Sequence, residues 1–359
     1  MDKLILYLIG IFFVISGIDY ILGNPLKLGN KFEEGIKTMG ALGLGMIGIY
    51  SLAPVLSDIL STAIMPISKL FHLDPSIFPA MLFAIDMGGY QMADAIAINQ
   101  DIGMFSGIII ASTLGATISF TIPVALGIIS KEEQKYFAKG VMIGIITIPI
   151  GCFIAGLWLH INIIILLKNL IPMFIFAFIL VIGLLVIPNK LMRAFNVFGK
   201  FIMGLSVIGL LLQGIEQVFG LKMVAGLEPL SEAMVIVGRI AFILGGAYPM
   251  IELINRLFKS SFEKIGNKYG INSISIVGIL GNLASNLLIF GTFKEMNPKG
   301  KIICSAVGVS GAFVFGGQLG FVLGIAPKMI SGFIIAKLTA GICSIILASL
   351  LYEKGEVSI

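Results

Sequence analysis

Asp86 stands in the middle of an apolar stretch running from Ser76 to Ile98, followed directly by Met87-Gly88-Gly89. An ionised carboxylate in apolar surroundings costs at least ~2.5–3.5 kcal/mol unless it finds a partner. Gly88 and Gly89 can take the φ values of a tight reversal and leave backbone groups open to a small ligand. The arms on either side each hold about nine residues, which at ~1.5 Å per residue reach roughly half of a ~30 Å hydrocarbon core. Asp86 is thereby expected near the midplane, at the tip of a hairpin that enters and leaves on one side. Non-helical backbone at that depth is tolerated only inside protein or beside a wet cavity. The negative end of the first half-helix adds to the carboxylate, so the tip favours a cation over an anion. The structural alternative is an aspartate held by the turn's own amides, or protonated. Asp94, farther along the second arm, falls near the mouth, where solvation suffices.

A second polar cluster, Asn282-Leu283-Ala284-Ser285-Asn286, sits in the middle of another apolar stretch. Its amides and hydroxyl are neutral donors and acceptors that suit a hydroxyl or ammonium group without a second charge. Interhelical hydrogen bonding accounts equally well for any one of them. Gln318, in Phe315-Gly316-Gly317-Gln318, and Tyr248, in Gly246-Ala247-Tyr248-Pro249, are further polar groups beside helix-weakening residues. Tyr90 and Tyr248 could face an ammonium group through their rings. The candidate binding residues are therefore Asp86, Gly88, Gly89, Tyr90, Tyr248, Asn282, Ser285, Asn286 and Gln318.

Other features have plainer explanations. Gly140/Gly144 and Gly316/Gly320/Gly324 have the spacing of close helix packing, and Glu252 and Arg256 form an i,i+4 pair. Arg239 and Lys337 lie nearer helix interiors, where counter-ion and snorkelling roles both fit. Gly308-Val309-Ser310-Gly311 matches a short serine-nucleophile pattern. That chemistry needs a base, and the only histidines, His72 and His160, fall near segment ends. No zinc motif or phosphate-binding loop is present, so no cofactor, metal ligand set or catalytic residue is assigned, and direct drive by ATP is excluded.

The elements that must carry these residues follow from composition. Of 359 residues, 58% are hydrophobic and only 12% charged, with a mean hydropathy of +1.06; soluble domains run near ~45–50% and ~25%. The chain's main solvent is lipid, which excludes soluble enzymes and secreted disulfide scaffolds. The net charge of +5 reflects lysines and arginines in cytoplasmic loops, and nucleic acid is not a partner. Cys152, Cys304 and Cys343 lie in apolar segments as small core residues. The opening run Leu4 to Gly23 lacks a basic leader and a cleavage site, so it reads as a retained span.

Apolar segments fall at about 3–23, 39–60, 77–98, 103–129, 140–160, 165–187, 199–219, 234–256, 274–291, 302–325 and 329–352. Shifting the chain on itself by 195 to 197 residues aligns Ser16–Gly23 with Gln213–Gly220, Pro54 with Pro249, Asp86 with Asn282, and Ala125–Ile128 with Val322–Ile325. If all eleven segments cross, loop lysines and arginines split 13 to 9. If 77–98 and 274–291 turn back instead, the split is 17 to 5, with the richer side holding the loops from Lys27 to Lys37, Lys131 to Lys139, Lys190 to Lys200, Arg256 to Lys268, Lys294 to Lys301, and Lys354. That side is the cytoplasm. The expected fold is an all-α polytopic membrane protein, a single transport domain over 1–359. It has about nine spanning helices, two re-entrant half-helix hairpins, and two inverted-topology repeats (about 3–160 and 199–352) joined by a linking helix at about 165–187.

The strings Phe32-Glu33-Glu34-Gly35, Ser51-Leu52-Ala53-Pro54-Val55-Leu56, Asp86-Met87-Gly88-Gly89, Ile122-Pro123-Val124-Ala125-Leu126-Gly127, Thr147-Ile148-Pro149-Ile150-Gly151-Cys152 and Gly246-Ala247-Tyr248-Pro249-Met250 together resemble the EutH family of ethanolamine transporters. The resemblance runs from the first segment to the last. It implies a bacterial cytoplasmic-membrane protein with ethanolamine as its small-molecule substrate and the lipid bilayer as its partner. A coupling ion, H+ or Na+, and a homo-oligomer stay open. Two places depart from the pattern expected of the family: Gly317-Gln318 stands where an Asp-His pair is expected, and Ser285-Asn286-Leu287-Leu288 where Asn-Asn-Ile-Pro is expected. Asp86 is then the sole acid at either tip. Another small amine, an amino acid or an inorganic cation would suit the same fold; a gated channel and an intramembrane enzyme are the other classes.

Overall fold

The structure is a computed structural model that describes residues 2–268 and 270–353. Among the described residues every regular element is helical. Lys354, one of the expected cytoplasmic charges, lies outside them. In chain order the elements are α1 (Asp2–Ile21), α2 (Gly29–Phe71), α3 (Ile77–Leu82), α4 (Tyr90–Ile96), α5 (Gln100–Ile128), α6 (Gln134–Trp158), α7 (Ile163–Val186), α8 (Pro188–Phe219) and α9 (Leu230–Lys268). They continue with α10 (Ser273–Gly281), α11 (Leu287–Gly291), α12 (Pro298–Ser310), α13 (Gly317–Ile325) and α14 (Ile330–Glu353).

Eight of these, α1, α2, α5, α6, α7, α8, α9 and α14, are long and apolar enough to cross a bilayer. The ninth expected span, 302–325, is not one helix. It breaks between Ser310 and Gly317, where Phe313 has φ +62°. The gap is held open by hydrogen bonds that hydropathy does not record: the amides of Phe313 and Phe315 donate to the carbonyls of Asn282 and Leu283 at 2.9 and 2.8 Å. A second departure is the length of α2, 43 residues where the apolar run suggested 39–60. Glu33, Glu34 and Lys37 continue the helix on its exposed side, with Glu33 and Lys37 paired one turn apart.

α5 is the most enclosed of the eight, and α1, α7 and α8 turn apolar side chains outward, as lipid requires. Within α5, Ser106–Gly115 and Thr117–Thr121 are wound wide, as π-helix. Small residues set the helix contacts: a Cβ at Gly144 would press on Ala306 and Val309 of α12, and one at Gly320 on Ile240 of α9.

Side chains tie the ends of the helices to one another. The Asp19 carboxylate accepts from the amides of Leu26, Leu28 and Gly29 at 2.7, 2.9 and 2.8 Å, folding α1 onto the start of α2. Arg256 of α9 pairs with Glu252 at 2.7 Å and also donates to the carbonyls of Leu26 and Lys27, both at 2.8 Å. Lys301 at the start of α12 meets Glu133, just before α6, at 2.5 Å, with the two side chains 8% and 18% exposed. Removing one partner of a buried pair strands the other charge. Lys301→Met is expected to cost about 3 kcal/mol, read as a lower thermal midpoint in detergent; an unchanged midpoint would make the pair energetically idle.

Two short-helix pairs interrupt the long helices, each closed at its base. The Asp74 carboxylate accepts from Ser76 at 3.0 Å on the way into α3, and from Ile98 and Asn99 at 3.0 and 2.8 Å on the way out of α4. Asn99 then caps α5 through the amides of Asp101 and Ile102. In the second pair Asn272 takes the place of Asp74: its Oδ1 accepts from Ser275 before α10 closes and from Asn297 after α11. Asn297 caps α12 through Gly300. Asn272 lies 198 positions after Asp74, and Asn297 lies 198 after Asn99.

Candidate functional site

The first tip is built from Phe83 to Gly89. The chain leaves α3 with extended backbone at Phe83 and Ala84, then returns through Met87 (φ −119°, ψ 44°) and Gly88 (φ +86°, ψ −8°). Only Gly88 uses the left-handed region that glycine alone enters readily. Gly89 is helical in φ and ψ, and its missing Cβ matters for space instead, since one there would run into the carbonyls of Phe83 and Ala84. The turn closes on itself, with Met87 and Gly89 both donating to the Ala84 carbonyl at 2.9 Å. The Ala84 amide reaches Ser119 of α5 at 2.9 Å. The second tip, Asn282 to Asn286, closes with Ala284 and Ser285 donating to Gly281 at 3.0 and 2.9 Å.

Between the tips lies a cavity of about 200 Å³, below the ~300–1,000 Å³ of sites for drug-sized ligands. Asp86, Tyr248, Ser285, Gln318 and Thr38 are its polar lining, and Leu42, Met46, Phe120, Met203 and Phe313 are among its apolar walls. Asp86 and Tyr248 are part-exposed and open on it. Gln318 is 3% exposed, and its Oε1 accepts no hydrogen bond from the protein. Four of the nine residues singled out from sequence thus share one wall system.

The remaining five lie off it. Gly88 and Gly89 shape the turn behind Asp86. Asn282 and Asn286 are fully buried behind the second tip; Asn286 donates to Thr121 of α5 at 3.2 Å, and neither side-chain atom of Asn282 has a protein partner. Tyr90 points elsewhere: its hydroxyl is 3.7 Å from the Met104 sulfur and its ring packs edge-on against Phe321 at 5.8 Å.

Two intramembrane cations separate cleanly. Arg239 is exposed and donates to the Gly324 carbonyl, as a snorkelling residue would. Lys337 of α14 is 2% exposed and donates to the carbonyls of Ser112 and Ala312. The Ser310 hydroxyl donates to Ala306, one turn back in its own helix, and both histidines are at exposed positions. The contribution of α2 to the cavity had no sequence signal, because Leu42 and Met46 are ordinary span residues and Thr38 bonds its own helix at Gly35.

Comparison with known proteins covers almost the whole chain. The profile of the family described as "Ethanolamine utilisation protein, EutH" matches residues 1–351. The chain belongs to the EutH family. Among EutH-family relatives, a probable ethanolamine permease EutH from Listeria monocytogenes is 43% identical over 345 residues, 96% of this chain and 92% of that one. An uncharacterized protein, YxeR, from Bacillus subtilis is 38% identical, covering 95% and 92%. A probable ethanolamine permease EutH from Salmonella typhimurium is 36% identical, covering 100% and 97%. No solved structure matches the chain significantly. With eight helices able to span, this EutH-family chain is a multi-pass protein of the bacterial inner membrane.

Proposed function

We propose that the protein takes up ethanolamine across the bacterial cytoplasmic membrane by alternating access, feeding ethanolamine breakdown inside the cell. The observation that carries this reading is the small cavity between two interrupted tips, with one carboxylate and one unpaired amide oxygen on its wall. Ethanolamine is a primary amine, largely protonated near neutral pH as a lysine side chain of pKa ~10.4 is. In this proposal Asp86 pairs its ammonium, Tyr248 lies alongside, and Gln318 and Ser285 take its hydroxyl. Asn282 and Asn286 support the second tip from behind. The names borne by the relatives agree with a permease and not with an enzyme.

The same proposal makes the two short-helix pairs re-entrant and the two units inverted relative to each other, within a single transport domain. Two contacts support it. If every segment crossed, Lys301 and Glu133 would fall on opposite sides of the membrane, and so would Arg256 and the Leu26–Lys27 loop; each pair is in contact. If both short pairs turn back, all four loops lie on the lysine-rich side. The matched closures at Asp74 and Asn272 support the repeat.

The test is uptake of radiolabelled ethanolamine into proteoliposomes at acidic external pH, where little neutral amine diffuses. Saturable uptake with trans-stimulation by internal ethanolamine is expected; a channel gives neither. Gln318→Ala, which removes one hydrogen bond worth ~1–1.5 kcal/mol, is expected to raise KM about tenfold with little change in thermal midpoint. An unchanged KM would move the hydroxyl elsewhere. A second cargo, another small amine, is favoured by one observation: both departures from the expected family pattern, Ser285 and Gln318, fall on the cavity wall. Competition by unlabelled amines separates the two.

A further inference from the structure

Lys337 sits in the third turn of α14 and is 2% exposed. Its ammonium donates to the Ser112 carbonyl at 2.8 Å and to the Ala312 carbonyl at 2.6 Å, and lies 5.3 Å from the centre of the Phe333 ring. Both carbonyls come from backbone that has left regular α geometry. Ser112 is in the wide-wound part of α5, and Ala312 is in the gap between α12 and α13, with no following helical turn to supply an amide. Carbonyls of interrupted membrane helices are the groups that hold alkali ions in ion-coupled transporters. Among the described residues, Asp86 of the first tip and Cys152 of α6 are the titratable groups that act electrostatically on Lys337. Asp86 and Lys337 together leave the empty site without net charge.

We propose that Lys337 is a resident cation behind the wall of the transport site. Its ammonium fills the position that interrupted helices otherwise give to an alkali ion and ties the α5 and α12–α13 interruptions together, so that uptake runs without an alkali co-ion. Shortening the side chain frees two carbonyls and the space between them, and turns the position into an alkali-ion site. This rests on the uptake reading above, but its ion-binding part can be read without any substrate. A lysine with a packing role only would leave a defect that no ion repairs.

The experiment compares wild type with Lys337→Ala, Lys337→Ser and Lys337→Met in sodium, potassium or N-methylglucamine chloride. Ala and Ser remove the charge and open space; Met removes the charge and keeps the space filled. In thermal denaturation of the purified full-length proteins, sodium or potassium is expected to raise the midpoint of the Ala and Ser variants by several degrees, leaving wild type and Met unmoved. In proteoliposomes, wild-type uptake is expected to be the same in all three salts. Uptake by the Ala variant is expected to fall roughly tenfold or more in N-methylglucamine, as for a buried charge left without its partner, and to recover in part with sodium or potassium. The proposal is overturned if wild-type uptake needs sodium or potassium, if the Ala variant matches wild type in N-methylglucamine, or if neither ion moves the midpoint of the Ala or Ser variant. Absence of uptake by wild type in every salt would instead sink the ethanolamine reading, and the midpoints alone would decide the ion site.

Discussion

Asp86→Asn is expected to lower ethanolamine uptake at low concentration by about 100-fold or more. A substrate ammonium enclosed in the cavity loses the carboxylate that offsets its desolvation, and stranding one member of a buried pair costs ~3–5 kcal/mol, which at ~1.4 kcal/mol per tenfold gives that size. The substitution also leaves Lys337 as the uncompensated charge of the site, and a cation approaching it is repelled. Asparagine keeps the shape of the side chain at the tip, whose turn is closed by backbone bonds to Ala84, so the protein still folds, with a lower thermal midpoint because buried Lys337 loses its counter-charge. The loss is expected mainly in KM. Variant protein that reaches the membrane and transports with wild-type kinetics at low concentration would remove the carboxylate from the mechanism.

Gly48→Leu acts at the crossing of α2 and α8 and is expected to prevent stable folding. A Cβ at Gly48 would overlap the Ser206 carbonyl and the Leu210 amide, and Gly209 sits against Gly48 from the other side. Backbone cannot give way as a flexible side chain does, so the helices must separate, at about 3 kcal/mol or more. Separation also breaks the bonds from the Ser206 hydroxyl to the carbonyls of Leu44 and Gly45, at 3.0 and 2.8 Å. Those residues adjoin Leu42 and Met46, so the cavity wall goes with the crossing. Size-exclusion profiles and midpoints in detergent are the readout. Gly204→Leu, on the same α8 with open space around it, is the control expected to fold normally. A well-folded Gly48→Leu would mean that the crossing tolerates several ångströms of slack.

Hydropathy located the long helices because lipid imposes a length and a composition on each, and α1, α5, α6, α7 and α14 lie close to the runs read from residue types, while α8 begins eleven residues before its run and α9 ends twelve after. It misread 302–325, where the apolar run continues through Ala312, Val314 and Phe315. Hydropathy records what a side chain does in lipid, and the break is made by backbone amides bonding to another part of the chain. Asp86 was legible because an acid beside glycines in an apolar run is costly and needs a reason. Tyr90 was chosen by the same logic of residue type, and its ring turns to Phe321 instead. Residue type states what a side chain can do; its neighbours select what it does.

Sequence by itself determined a membrane protein, the positions of two interrupted segments, one acid at a tip and membership of the EutH family, because each is written in composition, local spacing or ordered strings. Tertiary structure decided that the tips face one cavity, that α2 walls it, that Ser285 and Gln318 open on it while Asn282 lies behind, and that Lys337 is held by carbonyls 25 and 225 positions before it. Those facts depend on contacts between residues tens to hundreds of positions apart, where short-range pattern carries no information.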